Sequence, residues 1–123
     1  MTRASPEYDL QCAVVQHLKR RQKPGVFFFA VPNGEKRSAI TGARLKKMGV
    51  RAGVADLVVL VNGTAFGIEL KASAKGRQSP AQVVAGREWE DAGGEYFIAS
   101  SLDDALELLE QIGAIHPNRW EPA

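Results

Sequence analysis

The fold is decided by the stretch DLVVLVNGTAFGIELK, residues 56–71. Two apolar runs rich in β-branched residues flank Asn62-Gly63, the strongest short-range signal for a β-hairpin with a two-residue turn. Counting outward from this turn places Asp56 directly opposite Glu69. Because side chains alternate along a strand, Lys71 is predicted to lie on the same face as both carboxylates.

Two opposed acids need a compensating interaction, since like charges on directly paired residues, roughly 4.5–5.5 Å apart at Cβ, are destabilising. One carboxyl could keep its proton, with a raised pKa. Alternatively, a divalent cation lies between the two, and carboxylate oxygens suit Mg²⁺ or Mn²⁺. The alternative without a metal is an ion pair between Lys71 and Glu69 at a solvated strand end. The hairpin geometry favours the metal.

The composition is that of one soluble globular domain of 123 residues, with 45% hydrophobic and 24% charged residues. We assign residues 1–113 to the domain and 114–123 to a loosely held C-terminal tail. The sequence contains neither an apolar stretch long enough for a membrane span nor a signal-peptide pattern. With the single cysteine, Cys12, this favours a cytoplasmic protein without disulfides.

The charge is distributed unevenly although the net charge is only +2. Residues 1–87 hold fifteen Lys and Arg against five Asp and Glu, whereas residues 88–123 hold one Arg against nine acids. This asymmetry predicts one basic and one acidic face, and a basic face that includes the acid pair favours nucleic acid as the partner.

Helices and strands alternate along the rest of the chain. Ser5-Pro6 is typical of a helix start, and Glu7 then lies on the core-facing stripe of that helix. Glu7 is equally consistent with a third metal ligand and with an acid that favours the helix N-terminus. The apolar run 26–31 predicts a central strand, and residues 41–47 predict a short helix that ends before Gly49.

After the hairpin, Ser79 and Gln82 form the pattern of a capping box at the start of the next helix. A strand at 95–99 and a helix that Ser101 caps follow. The hairpin implies antiparallel pairing, and the later strand–helix–strand crossover implies parallel pairing. We therefore predict an α/β fold, a mixed β-sheet of about four strands flanked by helices.

Four segments together resemble the VRR-NUC (virus-type replication-repair nuclease) domain of the PD-(D/E)XK nuclease superfamily: PNG (32–34), GVRAGVAD (49–56), ELK (69–71) and GRQSPAQ (76–82). The similarity covers about residues 5–100. It implies a restriction-endonuclease-like core. Ala55 departs from the pattern, because the family typically has proline before the aspartate.

The resemblance implies a Mg²⁺- or Mn²⁺-dependent DNA endonuclease of bacterial or viral origin. It is expected to act on branched or Holliday-junction-like DNA in replication or repair, as a homodimer and with a possible helicase or other partner. The metal ligands implied are Asp56, Glu69, the carbonyl of Leu70 and Glu7. Lys71 and Gln82 would assist the attacking water or the phosphate. The residues expected to contact DNA are Asn33, Arg37, Arg44, Lys46, Lys47, Arg51, Lys75 and Arg77.

Two other functions stay open at this point. The chain could be a weakly active or inactive nuclease fold that binds DNA together with a partner, which Ala55 would allow. It could also be a metal hydrolase that acts on a substrate other than nucleic acid, although the basic half would then have no role.

Overall fold

The computed structural model describes residues 5–32, 39–73 and 76–117. The elements are α1 (Pro6–Arg21), β1 (Val26–Ala30), α2 (Ala39–Lys47), β2 (Leu57–Val61), β3 (Thr64–Leu70), α3 (Pro80–Asp91), β4 (Glu95–Ala99) and α4 (Leu102–Gln111). None of the helices in these ranges combines the length and the apolarity that crossing a membrane requires.

The four strands form one mixed sheet in the order β1-β2-β3-β4. The β1–β2 and β2–β3 pairs are antiparallel, and the β3–β4 pair is parallel. The predicted fold class is therefore confirmed. The prediction that the first strand is central was wrong: β1 is an edge strand, and Phe27 and Phe29 on it are 62% and 44% exposed. An apolar sequence allows a strand to be buried on both faces. Whether the strand lies in the centre of the sheet depends on which other strands pair with it.

The central hairpin has the predicted turn and register. Asn62 and Gly63 both have positive φ, 49° and 86°, as a type I′ turn requires. Val61 pairs with Thr64, and Leu57 pairs with Ile68. One further step along this register places Asp56 opposite Glu69, as the sequence predicted.

The hydrophobic core lies on one face of the sheet, between the strands and helices α1 and α4. Val59 and Ile68 on the strands, Val14 and Leu18 on α1, and Leu109 on α4 are all fully buried there. Because side chains alternate along a strand, the residues next in sequence point to the opposite face, which carries the two acids.

Helix α3 covers the β3–β4 half of that opposite face. The indole N–H of Trp89 donates hydrogen bonds to the backbone carbonyls of Ala65 (3.2 Å) and Glu95 (3.0 Å). A Cβ at Gly67 would lie 3.3 Å from the Trp89 ring. The helix therefore packs closely on the glycine backbone of β3, beside the position of Glu69.

The starts of α1, α3 and α4 follow the predicted caps. The Ser5 side chain accepts a hydrogen bond from the Tyr8 N–H, and the Ser101 side chain accepts one from the Asp104 N–H. The α2 helix begins at Ala39, two residues before the predicted start, and ends before Gly49, which has φ +98°.

Residues 114–117, which we had assigned to the tail, pack against α1. Ala114 and Ile115 are fully buried. The Lys23 N–H donates to the Ala114 carbonyl (3.0 Å), and the His116 N–H donates to the Arg21 carbonyl (2.8 Å). The two prolines of residues 114–123 suggested a loose segment, but these backbone hydrogen bonds and two core side chains hold residues 114–117 to the domain. Residues 118–123 lie outside the described ranges.

Candidate active site

Asp56 stands at the end of the hairpin, immediately before β2. Its Oδ2 accepts a hydrogen bond from the Leu70 N–H at 2.7 Å, which ties it to β3. Burial raises the pKa of the Asp56 carboxyl, the Leu70 hydrogen bond lowers it, and the charges of Glu69 and Glu7 raise it further. The two acids predicted to face each other therefore do interact, and the net effect disfavours a negative charge on Asp56.

Glu69 is fully buried, and it is the only acid in the described part of the chain that is. Its Oε1 accepts hydrogen bonds from the Tyr96 hydroxyl and from the Gln78 amide (3.4 Å). Its Oε2 is buried and accepts no hydrogen bond. The nearest cation is Lys71, whose Nζ lies 3.7 Å from Oε2.

Lys71 is held between the hairpin and α3. Its Nζ donates a hydrogen bond to Oε1 of Gln82 at 3.1 Å. The same Oε1 accepts the Ser79 N–H at 2.7 Å and completes the capping box. Capping and contact with the candidate site are therefore compatible at Gln82, rather than alternatives.

Glu7, in the first turn of α1, is solvent-exposed, so the prediction that it points along the core-facing stripe rather than out to water was wrong about its burial. Its negative charge nevertheless raises the pKa of Asp56. Within residues 5–32, 39–73 and 76–117, no group of three or more His, Cys, Asp or Glu side chains is close enough to hold a metal ion.

The residues around Glu69 fit a divalent cation in their chemistry. A buried carboxylate oxygen that accepts no hydrogen bond is unusual, because buried polar atoms are normally hydrogen-bonded or bound to a metal. Asp56, with its raised pKa, and the Leu70 carbonyl supply oxygen ligands of the type that Mg²⁺ and Mn²⁺ prefer. The set is small, with two side chains and one carbonyl, and Glu7 stands outside it.

The basic residues expected to contact DNA fall into three groups. Exposed side chains belong to Arg44, Lys46, Lys47 and Arg77. Arg51 is also exposed, but it forms an ion pair with Glu88 of α3, which competes with a phosphate. Asn33, Arg37 and Lys75 lie outside the described residues.

The glycine-rich loop before Asp56 packs on the start of α3. A Cβ at Gly53, which has φ +81°, would overlap with the backbone of Ala81 and Gln82. This loop therefore approaches the backbone of α3 closely, which fixes it beside Gln82.

Sequence reasoning missed Tyr96 and Gln78. Tyr96 reaches Glu69 because the parallel register pairs Gly67 with Tyr96, and Glu69 with Ile98. Alternation along the strand would have put Tyr96 on one of the two faces, but nothing local in the sequence gives the register between β3 and β4. Gln78 lies in the loop before the capping box, within the segment GRQSPAQ, but no role was predicted for it.

The fold is a mixed four-stranded sheet flanked by four helices, an α/β architecture with two acids and a lysine at the end of its central hairpin.

Two solved structures are similar to this chain. One is described as a "VRR_NUC domain protein", with a TM-score of 0.73 and 22% identity over 89% of both chains. The other is a "VRR_NUC domain", with a TM-score of 0.62 and 18% identity over 87% of this chain and 97% of that one. The predicted resemblance to VRR-NUC domains is therefore confirmed as a resemblance of fold. No family model and no curated protein matches the sequence.

Proposed function

We propose that this chain is a divalent-metal-dependent endonuclease that hydrolyses phosphodiester bonds in DNA. The observation that carries the proposal is the buried Oε2 of Glu69, which accepts no hydrogen bond and has the Lys71 ammonium 3.7 Å away and Asp56 nearby. The similarity of fold to VRR-NUC domains supports it. Selectivity for branched or Holliday-junction-like DNA, and a role in replication or repair, rest on that similarity and belong to the proposal.

Mg²⁺ or Mn²⁺ would be held by Asp56, Glu69 and the Leu70 carbonyl, and Glu7 would supply a further carboxylate from α1. When bound, such an ion supplies Lewis-acid activation of the scissile phosphate and of the attacking water. Its positive charge would also relieve the electrostatic cost that raises the pKa of Asp56.

Lys71 supplies the positioned donor. A lysine ammonium has three N–H groups, and one of them donates to Gln82. The others are available to orient the attacking water or to neutralise negative charge that develops on the phosphate. Gln82 restricts the direction of the ammonium, and Glu69 attracts it from the other side.

DNA would be held by the exposed basic residues Arg44, Lys46, Lys47 and Arg77. Contacts of this kind fix the position of the backbone without specifying sequence. The affinity for DNA should therefore fall steeply as the salt concentration rises.

The homodimer is also part of the proposal. Phe27 and Phe29 are exposed on the edge strand β1, with ring centroids 6.1 Å apart. Leu60, which pairs with Phe27 across the sheet, is 36% exposed. An edge strand can pair antiparallel with its own copy in a two-fold interface. The double substitution Phe27→Ser, Phe29→Ser should therefore convert a dimer to a monomer in sedimentation velocity.

The test of function is a cleavage panel of flap, four-way junction, single-stranded and duplex DNA, with Mg²⁺, with Mn²⁺ and with EDTA. Lys71→Ala should reduce the cleavage rate about 10²–10³-fold, as the loss of a positioned transition-state donor does. The control is Lys19→Ala, which removes the same charge from an exposed position in the last turn of α1. It should leave the cleavage rate unchanged. Equal cleavage by wild type and Lys71→Ala would contradict the proposal.

A second candidate function is DNA binding with little cleavage. The small number of assembled ligands and the exposure of Glu7 favour it. Salt-sensitive binding to branched DNA without cleavage of any substrate would support this function instead of the nuclease.

A further inference from the structure

The two carboxylate oxygens of Glu69 differ in their hydrogen bonding. Oε1 accepts two hydrogen bonds, from the Tyr96 hydroxyl and the Gln78 amide. Oε2 accepts none, although it is equally enclosed. One oxygen is therefore fixed by protein donors, and the other accepts no hydrogen bond and lies 3.7 Å from the Lys71 ammonium.

The Tyr96 ring reaches Glu69 through a slot between two glycines. A Cβ at Gly67 on β3 would lie 3.1 Å from Cδ2 of the ring, and a Cβ at Gly86 on α3 would lie 3.2 Å from Cδ1 and Cε1. Both distances are tighter than ordinary van der Waals contacts. The ring is thus held between the backbones of a strand and a helix, which restricts where its hydroxyl can point.

The Tyr96 hydroxyl is a donor to Glu69. A phenol hydroxyl can donate or accept a hydrogen bond, whereas a carboxylate oxygen only accepts. The Tyr96 hydroxyl therefore donates its hydrogen bond to Oε1 of Glu69. A tyrosine at an ordinary surface position would have no such fixed acceptor.

We propose that Tyr96 is a positioning residue for the metal site. Its hydroxyl, together with the Gln78 amide, holds Oε1 of Glu69 and so presents Oε2 to the cation. This inference rests on the proposed function, because it concerns the same site. Fixing the carboxylate before the ion arrives removes side-chain entropy that binding would otherwise cost, as donors behind metal ligands generally do.

The primary test is metal affinity, measured by isothermal titration calorimetry of the full chain with Mn²⁺ alone and with Mg²⁺ alone, in the absence of DNA. Tyr96→Phe keeps the ring and removes the hydroxyl. It should weaken metal binding about 10- to 100-fold. Tyr8→Phe makes the same chemical change at an exposed tyrosine on α1 and should leave the affinity unchanged.

Two further variants keep the test independent of how well Tyr96→Phe folds. Gln78→Leu removes the second donor and should weaken metal binding by a smaller factor. Gly86→Ala should displace the ring from α3 and weaken binding, although alanine favours the helix. Added to Tyr96→Phe, Gly86→Ala should have no further effect on affinity, because no hydroxyl remains to be displaced.

The outcomes separate this inference from the proposed function. Wild-type protein that binds Mn²⁺ with the same affinity as folded Tyr96→Phe would overturn the role of Tyr96 and leave the nuclease proposal standing. Wild-type protein that binds neither metal would overturn both. A metal affinity that falls in Tyr96→Phe, with cleavage rescued by excess Mn²⁺, would support the positioning role.

Discussion

The Nζ of Lys71 and the Oε1 of Gln82 lie 3.1 Å apart and form a hydrogen bond across the junction between the sheet and α3. The same oxygen accepts the Ser79 N–H at 2.7 Å. One amide thus caps a helix and holds the candidate catalytic lysine. The start of α3 is therefore positioned relative to the acid pair by a contact that the capping pattern alone does not require.

Substitution of Gln82 should separate these two roles. Gln82→Ala removes both the capping contact and the Lys71 acceptor, so it should lower the cleavage rate about 10-fold and the stability by about 1 kcal/mol. Ser79→Ala should lower the free energy of unfolding by a similar amount, since it also breaks the cap. It keeps the hydrogen bond between the Lys71 ammonium and the Gln82 side chain, so it should change the cleavage rate less. Equal cleavage rates for the two variants, assayed below both melting temperatures, would count against the contact with Lys71.

Neutralising Asp56 should stabilise the metal-free protein. The pKa of Asp56 is raised in the folded state, chiefly by burial, so folding favours its protonated form. The resulting contribution to the free energy of unfolding is fully present below the unfolded-state pKa and is lost as the pH rises through the folded-state pKa. At neutral pH, Asp56→Asn should therefore raise the melting temperature in EDTA, since the amide oxygen can still accept the Leu70 N–H. The same variant should lose the stabilisation that Mn²⁺ gives to wild type.

The control for this prediction is Asp9→Asn, which removes an exposed acid from the first turn of α1. Its loss should not raise the melting temperature, because the charge is favourable at a helix N-terminus. Calorimetry in EDTA checks both variants. A lower melting temperature for Asp56→Asn than for wild type would contradict the argument.

Two glycines with nearly the same φ offer a matched test of the loop before Asp56. Gly25 (φ +83°) has nothing within 4 Å of an added Cβ, whereas Gly53 (φ +81°) packs on the backbone of α3. Gly25→Ala should cost about 1–2 kcal/mol for the left-handed conformation. Gly53→Ala should cost about 1–3 kcal/mol more, because the overlap forces the loop and helix apart. Urea denaturation compares the two, and equal losses would mean that the loop adjusts freely.

We predict that His17 makes the free energy of unfolding fall as the pH is lowered. Burial is the first cause that lowers its pKa from 6.5, and the charges of Arg20 and Arg21 lower it further. Its Nδ1 lies 3.1 Å from the guanidinium of Arg21, which also binds Glu110. Because the folded protein resists protonation of this ring, the contribution is present above the unfolded-state pKa and is lost as the pH falls through the folded-state pKa.

Urea midpoints measured between about pH 7.5 and 5.5 check this prediction. The midpoint of wild type should fall with acidification, and that of His17→Gln should fall less. If both chains lose the same stability over this interval, another group is responsible for the step.

The sequence by itself determined the features that are set within a few residues of one another. The Asn62-Gly63 turn fixed the hairpin register, and with it the opposition of Asp56 and Glu69, because a two-residue turn leaves the flanking strands one way to pair. Ser5, Ser79 and Ser101 capped the predicted helices for the same reason, since each cap is a bond between near neighbours.

Only the tertiary structure decided which elements lie side by side. It placed the apolar β1 at an edge, left Glu7 exposed and folded residues 114–117 against α1. It also brought Tyr96 to Glu69, across the parallel pairing of β3 with β4. A crossover of this length has no local signal for register, so the sequence alone does not show that Tyr96 donates to Glu69. That contact forms only when the helix and the sheet pack together.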